Sequence, residues 1–244
     1  MLSETNFGEV GLPTLVLLAG GLATRLRPLT ETIPKSMLEI AGRPFIGHQL
    51  ALFRSKGVRR IVICAGYLGE KIRDYVNDGR EWDLHVDWSF DGPRLLGTGG
   101  AVKRALPYVG DEFLVTYGDS WLDIAYTSVV DAFRASNKPL LMTVFRNDGL
   151  WDKSNIEFAN GQIRRYSKQD ATADMHYIDY GLQCVRRDAL NDWPDDRPFD
   201  LAAVYSSLVD KGLAAGYEAE RRFYEIGSVH GLAEFNELLK ETIK

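Results

Sequence analysis

Cysteine is scarce in this chain. Cys64 and Cys184 are the only two among 244 residues, and neither has a cysteine or histidine close by at metal-ligand spacing. A zinc finger and a disulfide framework are both excluded, because each needs several such residues at short, regular intervals. Each cysteine lies in an apolar run, Ile61-Val62-Ile63-Cys64-Ala65 and Gly181-Leu182-Gln183-Cys184-Val185. They read as buried free thiols of a reducing compartment. Histidine is nearly as rare: His48 falls in a helical pattern, His85 in a strand, and of His176 and His230 only the former lies where a pocket could use it. No persuasive nucleophile–base–acid triad emerges.

Excess positive charge is also missing. Lys and Arg number 29 against 34 Asp and Glu, a net charge of -5. Bulk attraction to nucleic acid or to an anionic membrane is therefore absent, and no partner of either kind is expected. No apolar run approaches the length that crosses a bilayer. The N-terminal segment lacks the basic and apolar regions of a secretory signal. Repeats, low-complexity tracts and long linkers are absent too. The expectation is a soluble, cytoplasmic chain folded as a single domain over 1–244, while association into a homo-oligomer stays open.

What is present is a pattern of short apolar runs alternating with amphipathic stretches. Strands are predicted at 14–19, 60–65, 84–90, 113–117 and 140–145. Helical patterns at 45–56, 69–77, 98–106 and 126–136 separate them. Such alternation builds βαβ units and a mostly parallel sheet with helices on both faces, an α/β Rossmann-like class. The second half changes character. Residues 156–158 and 163–166 flank Asn160-Gly161, a hairpin signal. A further strand is read at 176–185, with closing helices at 201–211 and 229–240. The expectation is two halves, over about 1–145 and about 146–244. The latter carries a small antiparallel insertion over the sheet edge.

Ligands of such sheets bind at the carboxyl ends of strands. Directly after the first predicted strand comes Gly20-Gly21-Leu22-Ala23-Thr24-Arg25-Leu26-Arg27-Pro28-Leu29-Thr30, then Pro34-Lys35. Glycines there let backbone amides approach an anion closely. The nearby arginine supplies a fork-shaped cation and the lysine a point charge, a set that suits a polyphosphate. Neither the P-loop spacing nor the dinucleotide fingerprint occurs.

The segment resembles the signature of the sugar-phosphate nucleotidyltransferases, which reads L-A-G-G-x-G-T-R-L-x-P-L-T followed by P-K. Leu18-Ala19-Gly20-Gly21, Thr24-Arg25-Leu26, Pro28-Leu29-Thr30 and Pro34-Lys35 match it, and Ala23 stands where the pattern has glycine. The resemblance implies the nucleotide-diphospho-sugar transferase fold, with a nucleotide-binding half over about 1–145 and an acceptor-binding half over about 146–244. It also implies transfer of a nucleoside monophosphate from a nucleoside triphosphate to a sugar 1-phosphate, with Mg²⁺ as cofactor. Arg25 would face the leaving phosphates, Lys35 the reacting phosphates, and Asp119, in Gly118-Asp119-Ser120, the metal. Leu18, Ala19, Gly20 and Gly21 would bind nucleotide, together with Gly97, Thr98 and Gly99 of the element Leu96-Gly97-Thr98-Gly99-Gly100-Ala101. Lys168 matches the lysine that holds the acceptor phosphate, although Ser167 replaces a glutamate before it. Asn155, Glu157, Asp179 and Gly181 are further acceptor-side candidates. A second metal carboxylate is expected late in the chain, where Glu225 replaces the usual aspartate.

The resemblance covers nearly the whole chain, and a transferase core is close to this length, so an attached β-helix or regulatory domain is not expected. Guanylyl- and cytidylyltransferase features are mixed, which leaves the base open. A rival keeps the chemistry and changes the acceptor to phosphocholine, with Tyr166, Tyr177 and Tyr180 as an aromatic cage. Another is a non-catalytic nucleotide-sensing subunit of the same fold.

Overall fold

A computed structural model describes residues 11–242 except 152 and 196, with the side chain of residue 242 also outside the description. Its centre is a nine-stranded sheet. We number the strands of this sheet β1 (Leu15–Leu18), β2 (Arg60–Ala65), β3 (His85–Phe90), β4 (Glu112–Tyr117), β5 (Leu140–Arg146), β6 (Ile156–Ala159), β7 (Gln162–Tyr166), β8 (Tyr177–Arg186) and β9 (Ala214–Glu218). The helices are α1 (Phe45–Ser55), α2 (Gly69–Val76), α3 (Gly97–Ala105), α4 (Tyr126–Ser136), α5 (Leu201–Asp210) and α6 (Val229–Thr242). The spatial order is β3-β2-β1-β4-β8-β5-β9-β7-β6. Strands β1 to β4 are mutually parallel, β5 and β9 are parallel to each other, and β7 and β8 run against the rest.

Strand alternation explains the layers. Leu15, Leu17, Ile61, Ile63 and Leu114 bury one face against Ile46, Leu50, Phe53, Ile72 and Phe133 of α1, α2 and α4. Val16, Val62, Val115 and Met142 bury the other against Val102, Leu201 and Val204 of α3 and α5. Both faces are apolar, so the strands read as continuous hydrophobic runs with no polar stripe. A smaller core of Ile40, Phe45, Ile226, Phe235 and Leu239 docks α6 beneath the strand ends. Both cysteines are free and buried as predicted, and burial pushes both thiols up.

Two placements differ from the sequence reading. The strand predicted at 176–185 is β8, and it lies inside the sheet between β4 and β5 instead of in a peripheral insertion. Buried Thr116 and Thr143 donate their hydroxyls to Gly181 and Leu182 carbonyls at 2.9 and 2.7 Å, stitching β8 to both neighbours. The β6–β7 hairpin extends the same sheet through β9 and does not lie over its edge. Strand β9, Ala-Ala-Gly-Tyr-Glu, was not expected, because it lacks both alternation and branched residues. Among the described residues no helix is long and apolar enough to cross a membrane.

Candidate active site

The site grows from the carboxyl ends of β1 and β4. Beyond β1, the Ala19 amide donates to the Cys64 carbonyl at 2.9 Å and the Gly118 amide to the Leu18 carbonyl at 2.9 Å. The glycine loop thus hangs between β2 and β4. Its Gly20 packs backbone to backbone on Gly66. A Cβ at Gly20 would lie 2.9 Å from the Gly66 nitrogen, and one at Gly66 would lie 2.7 Å from the Gly20 carbonyl oxygen. A cavity of about 240 Å³ opens here. Leu18, Ala19, Gly20, Gly21, Lys35 and Asp119 line it, as do Asp91, Leu95, Gly97 and Thr98.

Gly99 is not among its lining residues. Its amide donates to the Phe199 carbonyl at 3.0 Å, and a Cβ there would lie 2.3 Å from the Phe199 ring. The glycine at this position is accounted for by packing. The Thr98 hydroxyl donates to Asp200 Oδ1 at 2.9 Å and accepts from the Leu201 amide at 2.9 Å, tying α3 to the start of α5.

Ala23 holds a left-handed backbone at φ 49°. That conformation explains why the signature places glycine here, since a Cβ costs roughly 1–2 kcal/mol in it. Buried Thr30 secures the strained turn by donating its hydroxyl to the Ala23 carbonyl at 2.8 Å. The next turn, Thr24–Leu26, anchors Leu26 in the core and leaves Arg25 exposed.

Lys35 pairs with Asp119 Oδ2, and each side chain is about one-fifth exposed. Asp119 also accepts from the Ser120 hydroxyl at 3.4 Å. Beneath it, fully buried Gln49 of α1 donates to the carbonyls of Tyr117 at 3.0 Å and Ser120 at 2.6 Å. The turn that carries Asp119 is therefore fixed from the core. Ser120 and Trp121 pair antiparallel with Tyr224 and Glu225, Ser120 lying opposite Glu225, and the Ile226 amide donates to the Asp119 carbonyl at 2.9 Å. A methyl on Gly227 would lie 2.5 Å from Glu225 Oε2 and 3.2 Å from Arg25 Nη2. Arg25, Lys35, Asp119 and Glu225 thus converge, although two hundred positions separate the first from the last. Two hard carboxylates beside the glycine loop are the donor type Mg²⁺ takes, since it binds one or two protein carboxylates and completes its shell with phosphates and water. Among the described residues no group of three or more His, Cys, Asp or Glu could hold a metal by itself.

The acceptor-side candidates divide. Strand β8 bulges against β5 between Asp179 and Gln183, and Gly181 takes φ +103° there. The bulge turns Asp179 so that its Oδ1 accepts from the Gly181 amide at 3.0 Å and Gln183 Nε2 at 2.7 Å. Asn155 Oδ1 in turn accepts from the Asp179 amide at 3.0 Å. Asn155 and Gly181 therefore serve to aim Asp179. Burial pushes the Asp179 carboxyl up, opposed by the Lys168 ammonium and these hydrogen bonds. Asp200 feels the same lysine. Burial pushes its carboxyl up as well, but the Ala202 amide, Lys168 and the Thr98 hydroxyl outweigh it and leave the group low. Glu157 stands apart. It lies between Ile156 and Phe158, which pack on the α5 face, and its ion-pair partner is Arg164 at 3.9 Å. Tyr166 and Tyr180 are buried in the cores of opposite sheet faces, so they cannot form a common aromatic cage.

Three residues of this region escaped the sequence reading. Asp200 had a signal, an aspartate just before a helical pattern, and it caps α5 by accepting from the Ala202 amide at 2.8 Å. Asp91 follows β3 at a Gly-Pro turn and is 7% exposed. Its Oδ2 accepts from the Leu96 amide at 3.2 Å. Burial pushes its carboxyl up, opposed by that amide and Arg104. Gln49 gave no signal, because a polar residue in an amphipathic helix reads as solvated.

Comparison with known proteins agrees with this geometry. The family described as nucleotidyl transferase matches residues 14–154. A UTP–glucose-1-phosphate uridylyltransferase of Synechocystis sp. is 27% identical over 217 residues, covering 81% of this chain and 55% of that protein. An N-acetylmuramate alpha-1-phosphate uridylyltransferase of Neisseria meningitidis is 39% identical over 114 residues, covering 46% of this chain and 49% of that protein. The matches thus span about half the length of these curated relatives. The crystal structure of HddC from Yersinia pseudotuberculosis complexed with GMP-PN superposes with a TM-score of 0.79 at 24% identity, covering 93% of this chain and 100% of that one. That likeness shows the fold.

Proposed function

Because the chain belongs to the nucleotidyl transferase family, we propose that it transfers a nucleoside monophosphate from a nucleoside triphosphate to a sugar 1-phosphate, giving a nucleoside diphosphate sugar and pyrophosphate. The observation that carries this reading is the convergence of Arg25, Lys35, Asp119 and Glu225 beside the glycine loop and its cavity. The relatives named as uridylyltransferases of sugar 1-phosphates support the same reaction type.

The chemistry asks for little from a general base. A phosphate monoester loses its second proton near pKa ~6, so an acceptor phosphate is already a nucleophile at neutral pH. What opposes the reaction is repulsion between two polyanions and the need to align them in line with the scissile bond. Lys168 holds the acceptor phosphate, with Asp179 and Asp200 limiting where its ammonium can go. Lys35 neutralises charge at the reacting α-phosphate, and Arg25 binds the departing pyrophosphate through its fork. Backbone amides of the glycine loop orient the triphosphate. Asp119 and Glu225 would hold Mg²⁺, which supplies charge neutralisation on the phosphate oxygens. Before substrate arrives, the Lys35 ammonium occupies one Asp119 oxygen and reduces the repulsion among the carboxylates.

The test is pyrophosphate release from each nucleoside triphosphate crossed with a panel of sugar 1-phosphates, with Mg²⁺ present. At least one pair should turn over, and Asp119→Asn should lower its kcat by about a hundredfold or more. Turnover unchanged in that variant would remove Asp119 from the metal site. No turnover with any pair would overturn the reaction assigned here.

A further inference from the structure

We propose that Asp91 selects the base of the nucleoside triphosphate and that it selects guanine. The inference rests on the nucleotide reading above and adds the identity of the substrate. Asp91 is 93% removed from solvent yet lines the cavity that also contains the glycine loop. Its Oδ2 accepts from the Leu96 amide, and a Cβ placed on Gly66 would lie 3.2 Å from the same oxygen. The carboxyl group is therefore fixed against the backbone floor of the cavity. Every carboxylate oxygen has two lone pairs, and one backbone amide leaves most of this capacity unused. Asp91 lines the cavity, so a ligand donor there can use the remaining capacity, beside the nearby Arg104 charge.

The surroundings suit a flat ring. Leu95 also lines the cavity and is 37% exposed, so it presents an apolar surface to it. Ala101 and the thiol of Cys64 add further apolar lining. A slot with apolar walls and one carboxylate at its edge accepts a base by face and reads it by edge.

The edge decides between bases. Guanine presents two adjacent donors, N1–H and the N2 amino group, and both can bond a carboxylate. Cytosine presents one amino group beside an acceptor nitrogen. Uracil and thymine present a single N3–H between two carbonyl oxygens, each of which a carboxylate repels. The expected order is GTP, then CTP, then UTP and dTTP. The family does not decide this point, because a UTP-named relative and a neighbour holding a guanosine nucleotide are both similar to this chain.

The experiment is equilibrium binding of each Mg²⁺-nucleoside triphosphate to the full chain without acceptor, by titration calorimetry. GTP should bind about tenfold or more tighter than UTP, the scale of one bidentate pair. In Asp91→Asn, whose amide can still accept from Leu96 but also donates to a carbonyl, GTP should weaken by a similar factor and UTP should strengthen. Tighter binding of UTP or dTTP than of GTP by the unmodified chain overturns the inference and leaves the nucleotide reading standing. An unchanged order in a folded Asp91→Asn does the same. Failure of all four nucleotides to bind overturns both.

Discussion

The phosphate side and the acceptor side of the cleft handle charge in opposite ways. At the glycine loop, Lys35 faces Asp119 as a pair, and the turn beneath is clamped by the buried amide of Gln49. On the acceptor side a single lysine, Lys168, faces two carboxylates, Asp179 and Asp200, and is itself exposed. The first arrangement is rigid and nearly balanced before substrate arrives. The second sets two carboxyls against one exposed cation. In the proposed reaction the triphosphate and its metal would be served by groups fixed from the core. The acceptor would meet an exposed ammonium that acts on two carboxylates.

That contrast can be broken at several points. The largest effect is expected from Lys168→Ala. Removing a charge-assisted phosphate contact worth roughly 1.5–3 kcal/mol should raise KM for the acceptor by about ten- to hundredfold. KM for the nucleotide should stay within about twofold. Steady-state kinetics with each substrate varied would check this, and equal loss for both substrates would mean that Lys168 does not belong to one side.

Gln49→Leu probes the other side. Two carbonyls of the Asp119 turn lose their buried donor, so unfolding free energy should fall by about 2–3 kcal/mol in urea titrations. The kcat should fall with little change in acceptor KM, because Asp119 is loosened while Lys168 is untouched. A variant that is destabilised with full kcat would show that the clamp supports the fold alone.

The smallest effect is at Ala23. Glycine there removes the left-handed strain at φ 49° and adds unfolded-state entropy. The net gain should be about 0.5 kcal/mol, seen as a rise of one or two degrees in Tm, with kcat nearly unchanged. A loss of stability would mean that the alanine methyl makes contacts that outweigh its strain.

The legible part of this molecule was local. Apolar strands with helical patterns between them announced βαβ units, because burial on both sheet faces leaves no polar positions to confuse the period. The glycine loop with Arg25 and Lys35 was legible because its chemistry sits within one short segment. The antiparallel run of β8 was legible as a strand and misplaced as a peripheral one. Its position between β4 and β5 depends on pairing partners 66–74 and 31–45 residues away, including the buried threonine hydroxyls, and no local pattern encodes that choice.

By itself the sequence determined most of the elements, through propensity and periodicity over neighbouring residues, and it offered the glycine loop and the candidate carboxylates through the resemblance of its motifs. Tertiary structure alone decided which of them meet. It brought Glu225 beside the Asp119 turn through a two-residue ribbon and set Gln49 under that turn. It also placed Asp91 in the cavity, Gly99 against Phe199, and Glu157 away from Asp179. The physical reason is that long-range contacts are fixed by the packing of whole layers. A buried polar side chain reveals its role only once its hydrogen-bond partners, distant in the chain, are in place.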